Sequence, residues 1–142
     1  MHPVEILLIE DSPSDAAATT EALEEGVVAK RIHLVGDGEE ALEYLYKRGR
    51  YATATKPDLI LLDLNLPKID GHEVCRILKS DEDLRYIPII VLTTSCDLLD
   101  VSDAYSSYAN SYLTKPSNPT DFRRLVQQLE DFWLRRVRLP LH

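Results

Sequence analysis

Cysteine is scarce. Only Cys75 and Cys96 occur in 142 residues, far apart and with no histidine cluster beside them. Such a pair argues against a disulfide framework or a cysteine metal site, and both thiols are expected to be reduced and mostly buried. The four histidines, His2, His33, His72 and His142, are scattered and make no ligand set. Long apolar runs are missing too. None approaches the ~20 residues of a membrane span, and the start has no charged segment followed by an apolar one. A cytoplasmic location is the expectation. Positive charge is in deficit: 16 Lys and Arg stand against 24 Asp and Glu, a net charge of −8. That balance argues against a nucleic-acid backbone as partner. There is no internal repeat, linker or low-complexity stretch.

What is present reads as one soluble domain with a full core, since 44% of residues are hydrophobic and 28% charged. The organising stretch is 58–71, Asp-Leu-Ile-Leu-Leu-Asp-Leu-Asn-Leu-Pro-Lys-Ile-Asp-Gly. Leu59 to Leu62 is a short apolar run bounded by turn residues, the pattern of a strand buried on both faces. Ligands of parallel sheets sit beyond the carboxyl ends of such strands. Asp63 therefore stands at the rim of a buried sheet, where a lone carboxylate is costly.

The remaining chain alternates in the same way. Val4 to Ile9 reads as a strand ending in Glu10-Asp11. Ser12, Pro13 and Asp15 then supply an N-cap, a first-turn proline and an acid at the third helical position. That helix is expected to run to Gly26 as a C-cap. A second strand is expected at Arg31–Val35, and a helix from Asp37 to about Arg48, stopped by Gly49. Residues 49–57 read as a loop. A helix from Gly71 to Ser80 follows, with Val74, Ile77 and Leu78 at helical spacing. Ile89–Leu92 is a strand ending on Thr93-Thr94-Ser95. A weak helix spans 97–108, then a short strand Ser111–Thr114 closed by Lys115-Pro116. The last helix is capped by Asn118. Its apolar stripe is Phe122, Leu125, Val126, Leu129, Phe132 and Trp133.

Five strand–helix alternations imply a doubly wound parallel α/β sheet. The expected architecture is the flavodoxin-like (βα)5 arrangement, strand order 2-1-3-4-5. In that order Glu10, Asp11, Asp63, Thr93 and Lys115 all converge on one rim. Two unit charges ~4 Å apart repel by about 4 kcal/mol at an effective dielectric near 20. Three clustered carboxylates thus need either a proton or a cation among them. An open, all-oxygen pocket suits Mg2+. With Lys115 opposite and the Thr93 hydroxyl nearby, the cluster suits an aspartyl-phosphate formed on Asp63.

On these residues the chain resembles the response-regulator receiver domains of two-component signalling. The matching features are Glu10-Asp11, Asp63 in Asp-Leu-Asn-Leu-Pro, Asp70-Gly71, Thr93, Tyr112 three residues before Lys115, and Lys115-Pro116. The resemblance covers about residues 4–135, leaving 136–142 as a short extension of a single receiver domain over 1–142. It implies that Asp63 accepts phosphate from the phospho-histidine of a sensor histidine kinase. It further implies that Glu10, Asp11, Asp63 and the Asn65 backbone carbonyl hold Mg2+, that Lys115 and Thr93 bind the phosphoryl group, and that Tyr112 swings as a switch. A cis Lys115–Pro116 bond is also implied. The loop 49–57 and the segment Lys79–Pro88 are similar to stand-alone receivers that partner bacterial phytochrome kinases. Thr94 departs from the Ala or Gly more usual there, and Ser95 occupies a position that tunes phosphoryl lifetime.

A homodimer is expected, through a face made by Leu134, Val137, Leu139 and Leu141 with Tyr105 and Tyr108 nearby. The protein is expected to be a signalling module rather than an enzyme. An Asp-nucleophile phosphatase would need a second Asp at position 65, which is Asn, and a cap domain for which 142 residues leave no room. A degenerate receiver that only binds partners conflicts with the full set of site residues. A flavin binder conflicts with the acidic first strand-to-helix turn.

Overall fold

A computed structural model describes residues 2–140. Its five strands are β1 (Val4–Ile9), β2 (Lys30–Val35), β3 (Leu59–Leu62), β4 (Ile89–Thr93) and β5 (Ser111–Thr114). They form one parallel sheet in the order β2-β1-β3-β4-β5. Every residue of β3 and β4 is buried, because helices cover both faces. Helices α2 (Gly38–Leu45), α3 (Gly71–Ser80) and α4 (Leu98–Ser106) pack on one face, where Tyr44, Val74, Leu78 and Ala104 meet Leu7, Ile60 and Val91. Helices α1 (Pro13–Glu24) and α5 (Pro119–Glu130) cover the other, where Ala22, Leu23, Phe122 and Val126 meet Ile6, Leu61 and Ile90.

The register brings the strand ends level. Ile9 pairs with Leu62, Leu62 with Val91, and Thr93 with Thr114. The next residues are Glu10, Asp63 and Lys115, and backbone bonds hold them there: Asp63 N–H to Ile9 O (3.0 Å) and Lys115 N–H to Thr93 O (2.7 Å). Gly71 completes the frame. A Cβ there would fall 2.5 Å from the Asp63 carbonyl oxygen, so only glycine lets α3 begin against the loop that follows β3.

Several boundaries differ from expectation. Helix α1 ends at Glu24, and Gly26 is not its left-handed cap; the glycine instead makes room for the Glu130 carboxylate. Helix α2 stops three residues early, because Lys47 turns left-handed (φ 56°) and the Arg48 N–H reaches back to Glu43 O. The loop at 49–57 opens with a 3-10 turn, Gly49–Tyr51. Helix α4 carries one fully buried residue, Ala104, in keeping with its weak pattern. After α5 the backbone widens into a π turn, Asp131–Arg136, closed by Val137 N–H to Phe132 O at 2.8 Å. The wider turn rotates the stripe. Phe132 is left exposed, while Leu134 and Leu139, expected off the stripe, pack onto the α1–α5 core. Leu141 lies outside the described residues. The Lys115–Pro116 bond is trans, against expectation, in line with the ~0.5–1 kcal/mol intrinsic preference. Cys75 is buried as expected and burial pushes its thiol up to about 11, but Cys96, in the β4–α4 loop, is exposed. No helix among the described residues is long and apolar enough to cross a membrane.

Candidate functional site: an acidic pocket closed by a buried lysine

Four strand ends build the site. Glu10 follows β1, Asp63 follows β3, Thr93 ends β4, and Lys115 follows β5; all four are buried. Asp11, beside Glu10, is exposed. Carboxylate oxygens of Glu10, Asp11 and Asp63 lie within 4.8 Å of one another. The Lys115 ammonium sits among acids, donating to Glu10 Oε1, to Asp15 Oδ2 at 3.0 Å and to Asp63 Oδ2 at 3.2 Å. The second Asp63 oxygen, Oδ1, accepts the Asn65 N–H at 3.2 Å.

The electrostatics follow from burial and these contacts. Desolvation, then a hydrogen bond shared with Asp63, push Glu10 up to about 7, against the pull of Lys115. Burial also works on Asp63, but there it loses: the bond from Glu10, the Lys115 charge, the Asn65 N–H and the Thr93 hydroxyl hold the carboxyl below its ordinary value. Burial would discharge Lys115, yet its bonds to Glu10 and Asp15 and the Asp63 charge raise it further. Near neutrality Asp63 is therefore ionised and Lys115 charged, while Glu10 is close to half-protonated, which relieves part of the repulsion that a cation would otherwise cancel. The donor set is hard oxygen throughout, open to water on the Asp11 side, which fits Mg2+ or Mn2+.

Behind the pocket, the Tyr112 hydroxyl donates to the Ser95 carbonyl at 2.8 Å, so the ring is held against the β4–α4 loop and half-buried. Ser95 Oγ donates to Asp100 Oδ2 (2.5 Å), and His72 Nε2 lies 3.2 Å from Asp100 Oδ1. This chain links the starts of α3 and α4 to the loop that Tyr112 touches. Thr94 is exposed and lines a cavity of about 430 Å3 between α1 and α5, together with Asp15, Glu21, Lys115, Pro116 and Phe122.

Every residue expected at the rim is there. The structure adds Asp15, which the sequence explained already as a helix-start acid. No spacing pointed to it: Asp11 precedes the Ser12 cap and lies outside α1, so the two acids share no helical face.

The family model "Response regulator receiver domain" matches residues 6–127. The chain is 44% identical over 138 residues to the response regulator Rcp1 of Synechocystis sp., an alignment covering 97% of this chain and 94% of that protein. The crystal structure of the phosphorylated cyanobacterial phytochrome response regulator RcpA superposes with a TM-score of 0.95 at 43% identity, over 99% of this chain and 100% of that one. The Mn2+-bound form of Rcp1 gives a TM-score of 0.95 at 43% identity, over 98% of this chain and 100% of that one. The chain belongs to the response regulator receiver family of two-component signalling.

Proposed function

We propose that this receiver accepts a phosphoryl group on Asp63 from the phospho-histidine of a sensor kinase of the bacterial phytochrome type. The observation that carries the reading is one ionised carboxylate, Asp63, held 3.2 Å from a buried ammonium and beside two further acids. In the step, an Asp63 oxygen attacks phosphorus. The P–N bond breaks, its electron pair stays on the imidazole nitrogen, and that nitrogen takes a proton from solvent. Lys115 neutralises the charge on the phosphoryl oxygens, and the Thr93 hydroxyl holds one of them. Glu10, Asp11, Asp63 and the Asn65 carbonyl would hold a divalent ion, which supplies further charge neutralisation when bound. Proton chemistry by the protein is minor; position and charge do most.

Support for the phytochrome pairing comes from the high identity to Rcp1 and RcpA across nearly the full chain. Phosphotransfer from a purified phytochrome-type kinase tests it. Transfer to this chain within seconds, absent from a kinase of another class, is the expected result; equal or slower transfer from the phytochrome kinase would sink the pairing. Phosphorylation then biases the Tyr112–Ser95–Asp100 chain and with it the α4–β5 face. That face exposes Leu98, Leu99, Tyr105 and Tyr108, and we assign it, with exposed Phe132, to a homodimer. The Leu134 and Leu139 side chains are taken up by the core and contribute less than expected. Light scattering that gives a monomer mass across the micromolar range, phosphorylated or not, removes the dimer.

A further inference from the structure

Asp15 is the third partner of Lys115, and its geometry does not suit the role its position suggests. An acid three residues after a serine N-cap ordinarily turns back to accept the cap's own N–H. Here Ser12 does cap the helix, its Oγ accepting the Asp15 N–H at 3.3 Å. The Ser12 N–H, however, goes to Glu10 Oε2 at 3.3 Å. The Asp15 carboxylate is thereby free of capping and points across the rim to Lys115 Nζ, 3.0 Å away. An ammonium has three N–H donors. Glu10, Asp15 and Asp63 take all three.

These three acids are not equivalent. Glu10 and Asp63 are buried and belong to the pocket. The Asp15 side chain is 39% exposed and stands in the wall of the 430 Å3 cavity between α1 and α5. When Asp63 carries a phosphoryl group, the Lys115 donor now on Asp63 has to reach a phosphoryl oxygen. Asp15 pulls the same ammonium toward the cavity. We propose that Asp15 is a positioning residue that restrains Lys115, competing with the phosphoryl group for its ammonium and weakening the phosphorylated state. The device acts only through Lys115. This inference rests on Asp63 being the phosphoacceptor.

The test is the affinity for beryllofluoride, an analogue of the phosphoryl group, measured by fluorine NMR titration with Mg2+ present. Asp15→Asn keeps the shape of the side chain and removes its charge. The expected result is a tightening of about 3–10-fold, the size of a half-exposed ion pair worth about 0.7–1.4 kcal/mol. In a Lys115→Ala background, Asp15→Asn is expected to change the affinity less than 2-fold. Thermal melts of all four proteins check that each is folded, and a second charge-removing variant, Asp15→Ala, replaces Asp15→Asn if that one fails. An unchanged or weaker affinity in the wild-type background overturns the proposal. So does an equal gain in both backgrounds, which would assign the effect to direct repulsion between Asp15 and the analogue. A wild-type protein that binds no beryllofluoride overturns the phosphoacceptor reading itself, a different outcome from the other two.

Discussion

Asp63→Asn is expected to abolish phosphoryl acceptance, and Lys115→Ala to cut its rate by about two to three powers of ten while leaving the acceptor in place. The two differ because the groups do different work. Asn has no anionic oxygen to form the acyl phosphate, so no residual rate is expected at this position. Lys115 supplies charge neutralisation from a buried, preorganised ammonium, and removing one such donor commonly costs about 10²–10³-fold. Its loss also removes the one ammonium that Glu10, Asp15 and Asp63 share. Asp63 then resists ionisation, which adds to the loss. Phosphorylation rates with a small acyl phosphate donor measure both. A Lys115→Ala protein as fast as wild type would remove the lysine from the reaction.

A second large effect is expected far from the pocket. Lys30 and Glu130 form an ion pair at 2.5 Å, with side chains only 5% and 6% exposed. Lys30 Nζ also donates to the Leu23 carbonyl at 2.6 Å, near the C-terminal end of α1. The pair therefore ties the end of α1, the start of β2 and the end of α5 together. Gly26 lies against it so closely that a Cβ would fall 1.6 Å from Glu130 Oε2. Glu130→Ala strands a buried ammonium and is expected to cost about 3–5 kcal/mol. Lys30→Met with Glu130→Leu is expected to recover most of that, because two apolar groups of similar size need no pairing. With a urea slope of about 1.5–2 kcal/mol per molar, the single variant moves the midpoint by about 2 M. A shift below about 0.5 M would mean that the pair is hydrated and contributes little.

The fold was legible because β1, β3 and β4 are short, mostly apolar runs ended by polar or turn residues, and each α-helix begins on a capping side chain. Ser12 and Asn118 cap as expected, and the structure adds Asp37 and Asp70 as the caps of α2 and α3. The site was legible for a related reason. In a parallel sheet of this order, residues just past the strands are brought level by register, so Glu10, Asp63, Thr93 and Lys115 needed no long-range guess. Features that depend on contacts between distant elements were not legible. Lys30 and Glu130 are 100 residues apart, and each alone looks like a surface charge. Gly26 looks like a helix cap until Glu130 is placed beside it. Phe132 fits the helical stripe until the π turn rotates it outward, and nothing in its spacing announces that turn. Asp15 was hidden differently: a local explanation, the helix-start acid, was already sufficient.

The most direct measurement is the mass and position of the modification after treatment with acetyl phosphate. The account predicts a single added phosphoryl group in the presence of Mg2+, none when a chelator removes the metal, and none in Asp63→Asn. Borohydride reduction of the acyl phosphate, followed by peptide mapping, is expected to convert residue 63 to homoserine. A phosphoryl group that forms equally with the metal removed, or that maps to any other residue, would contradict it.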